Sequence, residues 1–261
     1  MTAKKGTEGL AVYLRTLKLP SFAQNRSEVA QRAEDEGWTY ERYLMELAER
    51  EILDREARRV ERLKRQAKLP ADKTLETMDV KRLPVKVRRQ LPGLCEGGFV
   101  DRAENLLAFG LPGRGKTHCL SAIGHELVRR GIPVLFIPAY KLVQTLLVAK
   151  RDLILEATIR RLDRFLTVII DDIGYVQQSR EEVEVLFTFL AERYERRSVM
   201  ISSNLVFSEW DRIFKDPMTT ACAIDRLVHH ATILELTGAS YREEAAKLRL
   251  KNKGTGGEGQ G

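Results

Sequence analysis

Gly110-Leu-Pro-Gly113-Arg114-Gly115-Lys116-Thr117 follows directly on an apolar run at 105–109 and fills every fixed position of the pattern G-x-x-x-x-G-K-[ST]. Each of those positions has a chemical task. The glycines let the backbone curl so that successive N–H groups face phosphate oxygens, the lysine reaches the β and γ phosphates, and the threonine hydroxyl completes a Mg2+ shell. A strand before the loop and a helix after it are the setting such a cradle requires, and the flanking residues read that way. The expected nucleotide-binding set is therefore Gly110, Gly113, Arg114, Gly115, Lys116, Thr117 and the next residue, His118.

Outward from the loop, strand and helix signals alternate. Strands are predicted at 105–110, 133–138, 166–173, 198–204 and 231–237, with helical patterns between the first four and after the fourth. That order implies an α/β fold in which a parallel sheet carries helices on both faces. In the helix predicted over 181–197, Val183, Leu186, Phe187, Leu190 and Tyr194 fall on one face, while Glu182, Glu184, Glu192 and Arg196 fall on the other. The third strand, Thr167-Val-Ile-Ile-Asp171-Asp172, ends in two acids and is the expected partner of the cradle. Asp171 would hold the metal's hydration shell and Asp172 would polarise the attacking water. The fourth ends Ile201-Ser-Ser-Asn204, which would set a neutral amide beside that water if this strand neighbours the third.

The N-terminal part reads differently. Residues 1–69 contain no strand-like run, and 39–68 contain neither Pro nor Gly, so a small all-helical domain is expected. Its core would be the stripe Tyr40, Tyr43, Leu44, Leu47, Leu53, Ala57, Val60 and Ala67, preceded by a shorter helix that Ser21 opens, with Gln24 at capping-box spacing, and Gly37 closes. Pro70, Pro84 and Pro92 mark 70–98 as a basic linker with short helical turns; 99–250 would be the nucleotide core and the glycine-rich 251–261 a disordered tail.

The 44 Lys and Arg against 37 Asp and Glu leave a net charge of +7 and a pI near 9.3, which points to a polyanionic partner. Residues 50–90 alone hold 14 of those cations and 7 of the acids, so the excess is local. Arg55, Arg58, Arg59, Arg62 and Arg65 fall along one helix face within it. Cys95, Cys119 and Cys222 stand singly, as reduced thiols of a cytoplasmic protein do, and no apolar stretch has the length of a membrane span. His229-His230 has no further His, Cys or acid at zinc-ligand spacing, so no zinc role is expected there.

The motifs at 110–118, Ile169-Ile-Asp171-Asp172-Ile-Gly174, Ser202-Ser-Asn204, Phe207-Ser-Glu-Trp210, Asp225-Arg-Leu-Val-His-His230 and Ser240-Tyr-Arg242 occur in the order of one family. With Leu17-Lys-Leu-Pro20 and Gly37-Trp-Thr-Tyr40-Glu-Arg-Tyr43-Leu44, they make the chain resemble the IstB insertion-sequence helper ATPases, relatives of the DnaC helicase loaders in the AAA+ class, over about 10–250. The resemblance implies an AAA+ P-loop core and a Mg2+-dependent ATPase that forms a homo-oligomer with ATP sites at subunit interfaces. It further implies that the oligomer binds and deforms double-stranded DNA and works with the transposase of the same element. By the same resemblance Lys116 and Thr117 bind phosphate and Mg2+, Asp171 and Asp172 serve hydrolysis, and Asn204 is the first sensor. Arg226 is then the finger offered to a neighbouring subunit, and Arg242 the second sensor. Two departures stand out. Arg114 replaces a small residue or threonine, and the chain ends too early for the helical lid of many AAA+ proteins.

A helical insertion between the second and third core strands carries Lys141, Lys150, Arg151, Arg160, Arg161 and Arg164. The resemblance to initiators and loaders, whose equivalent insertion faces the nucleic acid, implies that it is the better candidate for DNA contact than the arginine face at 55–65. No groove-reading helix stands out, so phosphate and shape recognition are expected rather than base readout. The rival readings are a helicase loader, a small-molecule P-loop kinase, for which no acceptor pocket or lid is visible, and a nucleotide-binding scaffold with little catalysis. The shorter arm of Asp172, where many ATPases have Glu, predicts slow hydrolysis.

Overall fold

The computed structural model describes residues 2–175, 179–210, 213, 217–237 and 240. Five strands, β1(Asn105–Phe109), β2(Val134–Pro138), β3(Thr167–Asp171), β4(Ser198–Ser203) and β5(Ala231–Glu235), form one parallel sheet in the order β2-β3-β4-β1-β5. All five residues of β1 are buried, as expected of a strand covered on both faces. The strands lie where the alternation of apolar runs and helical periods puts them.

Two layers of helices enclose this sheet. On one face, α7(Ala139–Arg151), α8(Leu155–Leu162), α9(Arg180–Arg193) and α10(Pro217–Val228) bury Leu142, Ile159, Phe189 and Leu227 against Leu107, Ile170 and Ile201. On the other, α4(Val85–Glu96), the short α5(Gly98–Asp101) and α6(Lys116–Arg129) bury Leu91, Phe99 and Ile123 against Leu106, Ile169 and Met200. Each fully buried Leu, Ile or Phe contributes roughly 1.5–3 kcal/mol. The sequence order βαβα thus becomes a three-layer sandwich whose strands all point their carboxyl ends to one edge.

The stretch expected to be a linker is part of this core. Residues 85–96 are helical in spite of Pro92, and Val87, Leu91, Leu94 and Cys95 are buried. An interior proline costs about 3 kcal/mol, and burying four apolar side chains offsets it. Pro84 is the N-cap, a place where proline does not oppose a helix. Helix α9 ends at Arg193 rather than 197, and its buried face includes Val185, Phe189 and Arg193 because α7 and α10 both pack on it. The Arg193 side chain, 1% exposed, donates to Asp163 Oδ1 at 3.1 Å and to the carbonyls of Phe165, Leu166 and Ser198.

The chain divides into two compact units, 1–62 and 63–261. The first holds α1(Thr2–Thr16), α2(Pro20–Asp35) and most of α3(Tyr40–Ala67). Its interior differs from the expected stripe: Leu14, Ser21, Val29, Leu47 and Glu51 are buried, whereas Tyr40, Leu44 and Leu53 face solvent. Ser21 does not cap α2. Pro20 opens that helix, and the Glu51 carboxylate accepts the Ser21 backbone N–H at 2.9 Å. A cap brought from another helix cannot be seen in local spacing. Glu51 also pairs with Arg55 and Arg58, each at 3.2 Å, so part of the expected basic face is neutralised. The last turn of α3 supplies Leu63 and Ala67 to the core of the second unit.

Candidate functional site

The carboxyl edge of β1, β3 and β4 carries a cavity of about 160 Å³ whose lining includes Gly113, Lys116, Thr117, Asp172 and Asn204. Gly115, at φ +86, turns the loop into the N-cap of α6, a conformation that any Cβ would strain. Lys116 is 5% exposed, and its Nζ donates to the carbonyls of Gly110 at 2.6 Å and Leu111 at 3.1 Å. The motif lysine is thereby held against its own loop. Arg114 lines the same cavity, and its Nη1 is buried with no hydrogen-bond partner.

β4 lies between β1 and β3, with Ala108 paired to Ser202 and Ile170 to Ile201. The condition set on Asn204 is therefore met. Thr117 Oγ1 donates to Asp171 Oδ1 at 2.8 Å, across the gap from cradle to acid strand. Ser202, fully buried, donates to the same Oδ1 at 2.7 Å and accepts the Asp172 N–H at 2.8 Å. One hydroxyl thus fixes both acids, and Asp172 sits in left-handed backbone at φ +57. Asn204 Oδ1 is buried with no partner and abuts the α-carbon of Gly174, where a side chain would collide with it.

Hydroxyl and carboxylate oxygens at Thr117 and Asp171 form a hard donor set that suits Mg2+, and the loop's glycines and N–H groups suit a polyphosphate. The neutral, unpartnered Asn204 amide beside Asp172 suits a water molecule.

Sequence reasoning missed a strap at 70–79. Lys73 lines the cavity with the phosphate loop. His118, expected to bind nucleotide, also lines it, but its Nε2 lies 3.0 Å from the Thr74 carbonyl and 3.2 Å from Thr77 Oγ1. His125, two turns along α6, contacts the Pro70 carbonyl at 3.0 Å. Hydrogen bonds from Thr74 and Arg129 hold the Glu76 carboxyl down at about 2. The histidine spacing, seven residues on one face of α6, was the available signal.

Arg226 lies on α10, outside the lining of this cavity, with its guanidinium 4.9 Å from the centre of the Phe187 ring and Nη1 unpartnered. Arg242 falls outside the described residues, as does the tail at 251–261. Of the six basic residues of the insertion, Lys141, Arg161 and Arg164 line one groove of about 800 Å³ beside the edge strand β2. The other three are engaged in surface ion pairs: Lys150 with Glu184 at 2.7 Å, Arg151 with Asp152 at 3.0 Å, and Arg160 with Glu156. Among the described residues no helix is long and apolar enough to cross a membrane.

Comparison with known proteins fits this geometry. The chain is 42% identical over 246 residues to an insertion-sequence ATP-binding protein of Sinorhizobium fredii, covering 94% of this chain and 83% of that one. A solved DnaA replication initiator bound to AMPPCP and single-stranded DNA superimposes with a TM-score of 0.55 at 18% identity, over 71% of this chain and 56% of that one. A DnaC helicase loader gives 0.52 at 15% identity, over 64% of this chain and 98% of that one. These two show the shared AAA+ fold. With the family model for IstB-like ATP binding proteins matching residues 12–249, and the phosphate loop, the Asp171–Asp172 pair and the Asn204 amide assembled at one sheet edge, the chain belongs to the IstB-like family.

Proposed function

We propose that this protein is a Mg2+-dependent ATPase that assembles on double-stranded DNA, deforms it, and works with the transposase of its own element. The observation that carries the reading is the Thr117–Asp171–Ser202–Asp172 chain beside Asn204, which joins phosphate loop, metal position and hydrolytic acid through three hydrogen bonds. Lys116 leaves its two loop carbonyls to bind phosphate, and the backbone N–H groups of the loop orient it. Asp172 draws a proton from the attacking water while Asn204 orients that water without adding charge. Bound Mg2+ supplies charge neutralisation at the phosphates, and Thr117 and Asp171 would hold it.

Arg226 supplies positive charge to a neighbouring subunit's ATP, which agrees with its place away from its own cavity; Arg242 is the second sensor. Lys141, Arg161 and Arg164 track the DNA backbone, with Lys150, Arg151 and Arg160 as further phosphate contacts once their surface ion pairs exchange. The named relative belongs to an insertion sequence, and this favours transposition over helicase loading, since the likeness to the DnaC loader is one of fold. Mixing Arg226→Ala with Asp172→Asn tests the assembly. Each alone should be inactive, and mixed oligomers should recover part of the DNA-stimulated turnover. Mixed oligomers without recovery at any ratio would exclude action between subunits.

A further inference from the structure

Away from the nucleotide cleft, the turn after α9 meets the turn between α10 and β5. Glu195 lies in the first, in left-handed backbone at φ +55, and His229 and His230 form the second. One donor atom from each of these three side chains lies within 4.8 Å of the other two, and all three side chains are exposed. The imidazole rings of His229 and His230 stand 4.0 Å apart, centre to centre. The Tyr194 hydroxyl lies 3.0 Å from His229 Nδ1, so a neutral group orients one of the three donors. The acid absent at zinc spacing in the sequence comes from a turn that the packing of α9 on α10 brings alongside.

We propose that Glu195, His229 and His230 form a surface binding site for a borderline divalent transition metal, Zn2+ foremost. Two imidazoles and one carboxylate make up a donor set of three-ligand zinc sites, with the fourth position left to water. The nitrogen donors select Zn2+, Cu2+ or Ni2+ and disfavour Mg2+, which takes oxygen ligands. This site therefore does not compete with the ATP cleft for its cation. The Tyr194 hydroxyl serves as the outer group that fixes a ligand ring. A bound ion would add a metal link between the turn after α9 and the turn after α10, which the Tyr194–His229 hydrogen bond and the apolar packing of α9 on α10 already hold together.

The test is a calorimetric titration of ZnCl2 into the full chain, stripped of metal and free of nucleotide, repeated with CoCl2 followed by visible absorption. One Zn2+ per chain should bind, with the intense absorption of a four-coordinate Co2+ complex. Glu195→Gln, His229→Ala and His230→Ala should each weaken binding about ten-fold or more, and Tyr194→Phe about ten-fold. These side chains are exposed or nearly so, and far-ultraviolet circular dichroism of each variant checks that it is folded. Cys222→Ser, which removes the one exposed thiol, should change nothing. The proposal is overturned if Glu195→Gln and His230→Ala bind zinc as the parent does, if Cys222→Ser abolishes binding, or if the parent shows no saturable zinc binding.

Discussion

Replacing Ser202 with alanine removes a single oxygen and strikes both acids of the cleft. The lost hydroxyl gives a 2.7 Å bond to the Asp171 carboxylate and takes a 2.8 Å bond from the Asp172 N–H. A hydrogen bond to a charged group contributes about 1.5–3 kcal/mol, and a buried N–H left unsatisfied costs about 1–3 kcal/mol. Asp171 keeps its bond from Thr117 at 2.8 Å, which moderates the first term. A net loss of about 3 kcal/mol is expected, or about 6–12 °C in Tm for a domain of this size. Without the hydroxyl the Asp172 N–H loses its 2.8 Å bond and the turn that carries this acid loosens, and if most of that energy is expressed in the transition state kcat falls about 100-fold. ATP affinity should stay within about threefold, because the phosphate loop is untouched, and retained binding also shows that the variant is folded. Thermal melts without nucleotide, titration with a fluorescent ATP analogue and steady-state turnover give the three numbers. A variant with Tm within 2 °C and kcat within twofold of the parent would refute the view that this hydroxyl positions the acids.

Three further outcomes follow from the geometry. Gly174→Ala places a methyl group on Asn204 Oδ1, so turnover should drop at least ten-fold with ATP affinity little changed; a variant as fast as the parent would free Asn204 of a role in hydrolysis. Burial pushes the Cys119 thiol up to about 12 and the Cys95 thiol up to about 11, so iodoacetamide at pH 8 should alkylate native protein once, at exposed Cys222, as peptide mass mapping would report. Glu76 titrates at about 2 instead of 4.5 through its hydrogen bonds to Thr74 and Arg129, so its support of the strap is complete above 4.5 and disappears as pH falls toward 2. The difference in Tm between parent and Glu76→Gln should narrow across that window and stay constant above it.

Much of this molecule was legible because the chemistry is local. The strands are short apolar runs, and the phosphate loop states its own function in eight residues. The acid pair is readable once the cradle is known, since both sit at the end of an apolar run. Ser202 is different, for its value depends on the register between β3 and β4, which no spacing within one strand shows. The strap is hidden for a similar reason: Lys73 reaches the cleft because His118 and His125, more than forty residues away, hold its neighbours. In α4 the prolines argued locally against a helix that tertiary burial stabilises. The stripe of α3 was misread because periodicity marks a face without saying what covers it.

The left-handed backbone at Asp172 gives a reason for the short acid found where many ATPases carry glutamate. Aspartate and asparagine are the non-glycine residues that enter this region at least cost, because their side chains can bond to nearby backbone; a longer, more flexible side chain forfeits that compensation. Glutamate here would extend the carboxylate by one methylene toward the water and in exchange load the turn that the Ser202 bond secures. Reach and backbone ease are therefore coupled at this one position, and a substitution toward the commoner residue would need a second change in the turn between β3 and Gly174 before it could raise the rate.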